Sequence, residues 1–65
     1  MKLRYIGQTF YHGLGLTNGK VYEATEDHGM YRVIDDEEED YLYSMTEPGP
    51  PDGSTPNGRW EIVEE

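Results

Sequence analysis

The chain has 65 residues, no cysteine, five Lys or Arg against 14 Asp or Glu, and a formal net charge of −9. A chain this short makes a single domain, 1–65, near the lower size limit for folding without staples, so a deep catalytic cleft is not expected. The absence of thiols removes disulfides and thiolate metal sites and fits a cytoplasmic setting, while the negative balance argues against direct contact with nucleic acid or an anionic membrane.

Met1–Ile6 alternates Lys2 and Arg4 with Leu3 and Tyr5, the period of a half-buried first strand. Two charges and the lack of a long apolar run argue against a signal peptide or membrane span. Glycines at 7, 13 and 15 then mark a long loop that folds back on itself. Phe10, Tyr11, Leu14 and Leu16 within it must tuck under the loop or form a binding surface.

Asn18-Gly19 is a turn signal, and Lys20–Glu26 reads as the second strand, with Val21 and Tyr22 unable to share one face. Asp27-His28-Gly29 turns into the third strand, Met30–Ile34. The fourth, Asp40–Met45, follows the acidic run Asp35–Asp40. This hairpin is the expected centre of the fold, its acids gathered at a solvated bend because like charges opposite each other repel. All four prolines fall in 46–58, which reads as a flexible loop. Arg59–Val63 is the fifth strand, with Trp60 and Ile62 on one face. Trp60 and Leu42, in mid-strand, are expected in the core.

Chemistry-bearing patterns are weak. A calcium loop starting at Asp35 would need Gly at its sixth position and Glu at its twelfth, where Asp40 and Thr46 stand. His12 and His28 lie on separate loops without metal-ligand spacing, and Ser44 and Ser54 lack a nucleophile motif. The glycines do not lead from a strand into a helix, so they form no phosphate cradle. No enzyme activity, metal or cofactor is expected.

Five short strands, a glycine-rich loop after the first and a proline-rich loop before the last describe an all-β, five-stranded SH3-like barrel. The pieces Gly15–Glu23, Tyr31–Asp36, Glu39–Tyr43 and Trp60–Val63 resemble a group of small SH3-like barrel proteins from Firmicutes and their phages that have no established activity. Members of that group often carry Trp where this chain has Met30, and they join the last two strands by a shorter turn. In peptide-binding SH3-like barrels, the loop after strand 1 and the turn between strands 2 and 3 flank an aromatic groove. By that resemblance the groove here would be lined by Phe10, Tyr11, Met30 and Tyr43. The competing reading places these residues in a scarce core. The functional expectation is a monomeric, non-enzymatic module binding a protein or peptide through this groove. The alternative is an acidic inhibitor or mimic that occupies a basic surface of another protein. Salt separates the two.

Overall fold

The computed structural model describes residues 1–10, 14–50 and 58–65. Tyr11, His12, Ser54 and most of the proline-rich loop therefore lie outside the described residues. The fold is all-β: β1 (Lys2–Ile6), β2 (Val21–Asp27), β3 (Met30–Ile34), β4 (Asp40–Tyr43) and β5 (Arg59–Glu64). They form one antiparallel sheet in the order β4-β3-β2-β1-β5. Among the described residues there is no helix long and apolar enough to cross a membrane.

Strand β2 is shared. Val21–Glu23 pairs with β1, while Ala24–Asp27 pairs with β3. Its alternation resolves the Val21–Tyr22 conflict: Tyr22 and Ala24 are buried and Val21 is exposed. The β2–β3 hairpin closes through His28 and Gly29, whose φ values of 52° and 80° are the pair of positive angles that suits a two-residue turn to strand twist.

The inner face of the sheet carries Leu3, Tyr5, Tyr22, Ala24 and Val33, and Leu16 from the β1–β2 loop completes this core. Met1, Phe10, Tyr31, Tyr43 and Trp60 pack around it, half-buried. Leu42 is not in the core. Its neighbour Tyr43 takes the inward direction opposite Tyr31, so alternation turns Leu42 outward beside Arg32, where it is 43% exposed. Ile62, on an edge strand, is likewise exposed.

No ladder joins β4 to β5 among the described residues, so the sheet is not closed into a barrel. Side chains bridge the gap instead. The Trp60 ring meets Tyr31 and Tyr43 edge-on, with centroids 6.2 and 6.4 Å away, and its Nε1–H donates to the Ser44 carbonyl at 3.0 Å. The strand expected to run to Met45 ends at Tyr43 because Ser44 turns the chain, its Oγ accepting from the N–H groups of Thr46 and Glu47. Within the described part of the proline-rich loop, Pro48 and Pro50 are buried and Thr46 and Glu47 exposed.

Candidate functional site

Three kinds of surface could carry function: the aromatic cluster, the acidic turn and the outer face with its edges. The aromatic cluster runs in edge-to-face steps from Phe10 to Tyr5 (6.1 Å) and Tyr43 (6.2 Å), and from Tyr5 to Trp60 (5.7 Å). Such contacts add to the area that the rings bury. The polar handles of three rings are already engaged. Tyr5 Oη donates to the Gln8 carbonyl and Tyr43 Oη to the Asp35 carboxylate, both at 2.7 Å, and the indole N–H is taken by Ser44. Burial, reinforced by the hydrogen bond to Asp35, pushes the Tyr43 phenol far above its ordinary value.

Of the residues assigned to a groove, Phe10 and Tyr43 come together and Tyr11 lies outside the described residues. Met30 is half-buried at the start of β3. Strand alternation puts it on the face of Arg32 and Ile34, opposite the one that Tyr31 and Val33 turn to the core.

The acidic turn is not uniformly solvated. Asp35 is only 4% exposed; its Oδ1 accepts from the Glu37 N–H and its Oδ2 from Tyr43. Asp36 is the node between this turn and the β1–β2 loop. Its Oδ1 accepts from Lys20 Nζ at 2.7 Å and Tyr22 Oη at 2.9 Å, and its Oδ2 from Thr17 Oγ1 at 2.7 Å. Its own N–H donates to the Gly15 carbonyl. Burial raises the Asp36 carboxyl, but the hydrogen bonds from Lys20, Thr17 and Tyr22 outweigh it and hold the group below its ordinary value. Sequence reasoning missed this node. The one available signal was that Asp35 and Asp36 directly follow a strand, whereas Glu37–Glu39 occupy the bend.

The bases are largely matched at home. Arg4 and Arg59 reach Glu61, Lys20 reaches Asp36, and Arg32 reaches Asp27 at 2.6 Å and Asp40 at 3.7 Å. Hydrogen bonds from Arg32 and then His28 hold the Asp27 carboxyl below its ordinary value. Glu23, Glu26, Glu37, Glu38, Glu39 and Glu47 stand exposed. Among the described residues, no group of three or more His, Asp or Glu side chains is placed to hold a metal ion. A shallow hollow of about 210 Å³ lies on the outer face between Glu23, Thr25, Arg32, Ile34 and Asp40. Family models, curated proteins and solved structures offer no match to this chain.

Proposed function

We propose that this protein is a non-enzymatic interaction module, a monomer of the cytoplasm, that docks its acidic outer surface on a basic surface of a partner protein. The observation that carries the reading is the charge arrangement. Four of the five bases are engaged in ion pairs within the chain, while Glu23, Glu26, Glu37, Glu38, Glu39 and Glu47 stand solvated, leaving a predominantly negative surface. Such a field speeds encounter with an oppositely charged partner and repels nucleic acid.

An SH3-like arrangement is the architecture we infer. It is supported by the strand order, by the division of β2 between two ladders and by Trp60 spanning the gap between the edge strands. Peptide binding by an aromatic groove is the second reading, supported by the meeting of Phe10 and Tyr43. It ranks below the first because Tyr5, Tyr43 and Trp60 spend their polar atoms on the chain itself.

Capture of a partner from bacterial lysate tests this, with washes from about 0.05 M to about 1 M salt, over which the screening length falls to roughly 3 Å. Acidic docking predicts release as salt rises. Retention at high salt, abolished by Phe10→Ser, would favour the groove.

A further inference from the structure

Among the described residues, strand β4 is the outermost strand of the sheet on one side and pairs with β3 alone. Such a strand turns a row of main-chain N–H and C=O groups away from the sheet, a template for another strand. Trp60 meets this edge at Tyr43 and Ser44, while the side chains before them are apolar and exposed. Tyr41 is 54% and Leu42 43% exposed. Ile34 lies diagonal to Leu42 across the ladder and is 52% exposed.

The placement of these residues discriminates between modes of binding. Leu42 and Ile34 belong to the outer face of the sheet, while Tyr41 belongs to the inner. A partner lying flat on one face would reach only part of this set. An extended segment running beside β4 presents side chains alternately to both faces and can cover both Tyr41 and Leu42. The chain enters β4 through Glu38, Glu39 and Asp40, so a second copy would meet like charge and a basic segment would meet its complement. On the opposite edge, β5, Glu61 is engaged by two bases, Arg4 and Arg59, whereas Asp40 on β4 is engaged by Arg32 alone among the described residues.

We infer that the outer edge of β4 accepts an extended basic segment of a partner protein as a sixth strand. Apolar side chains of that segment rest on Tyr41 and Leu42, and its Lys or Arg residues face Glu38, Glu39 and Asp40. The inference builds on the acidic-docking reading and adds main-chain pairing to it.

The test uses the full chain, isotope-labelled, titrated at low salt with a short capped peptide alternating lysine and valine. A second peptide of the same sequence carries N-methyl groups at alternate residues, which removes main-chain donors and leaves charge and apolar area. Strand addition predicts shift changes and slowed amide exchange centred on Asp40–Tyr43. It also predicts affinity about tenfold weaker for the methylated peptide, the loss of one or two net hydrogen bonds. Leu42→Lys should weaken binding comparably, while Val63→Lys on β5 should leave it unchanged. Equal binding of both peptides would overturn strand addition and leave acidic docking standing. Failure of both peptides to bind would overturn the two together.

Discussion

Asp36 ties together segments that the strand ladders leave apart. Thr17, Lys20 and Tyr22 all donate to its carboxylate, so one side chain anchors the β1–β2 loop to the β3–β4 turn. Lys20 also stands 5.4 Å from the Tyr22 ring centroid, adding a cation–π contact at the same node. Because the folded carboxyl is held below its ordinary 3.8, the unfolded chain binds the proton more tightly. The stability this group contributes is present above that value and is lost as pH falls through the lower folded value. Asp27 contributes with the same sign. Asp36→Asn should cost about 1 to 2 kcal/mol at neutral pH, where donors lose a charged acceptor. It should also flatten the acid limb of a plot of melting temperature against pH. An acid limb as steep as the parent's would mean that Asp36 does not hold the loop.

Gly15 is the second residue on which the loop turns. Its φ is +128°, and a Cβ there would stand 2.5 Å from Cδ2 of Phe10. Both backbone strain and overpacking oppose any side chain, so Gly15→Ala should cost about 2 kcal/mol or more in urea denaturation. A neutral result would place Phe10 elsewhere.

At the scale of elements, β4 and β5 are both edge strands, yet Trp60 and Leu42 in their middles have opposite fates. Trp60 on β5 reaches Tyr5, Tyr31 and Tyr43, whereas Leu42 on β4 faces solvent. Trp60→Ala should therefore cost about 3 kcal/mol, the usual penalty for an emptied aromatic site, and Leu42→Ala under about 1 kcal/mol. Thermal melts of the two variants check this, and equal losses would contradict the orientation of β4.

All five strands were legible because alternation, Asn18-Gly19 and the prolines mark strands and breaks within a few residues of chain. The hidden part is tertiary. Alternation sorts Tyr41, Leu42 and Tyr43 into two sets without saying which set meets the core. The burial of Asp35 depends on Tyr43, which reaches back across the ladder, and no local pattern announces that. Composition likewise gave the excess of acid, but the distances that pair each arginine at home come only from the folded chain.

At the scale of the whole molecule, the small core is extended by a ring of half-buried aromatics, and the exterior carries the excess of acid beside a few exposed apolar side chains. This division is what separates acidic docking from an aromatic groove, and Phe10 is the residue on which it turns. Phe10 packs edge-on to Tyr5 and Tyr43, and its N–H donates to the Leu16 carbonyl at 2.8 Å, fixing the loop over the core. As part of that packing it should be costly to truncate. As a groove residue waiting for a ligand it should not. The direct measurement is the unfolding free energy of Phe10→Ser beside that of Trp60→Ala, both by urea denaturation. We predict that Phe10→Ser loses about 2 to 3 kcal/mol, within about 1 kcal/mol of Trp60→Ala. A loss under about 1 kcal/mol, with Trp60→Ala still severe, would contradict the account and return the aromatics to the surface as a binding groove.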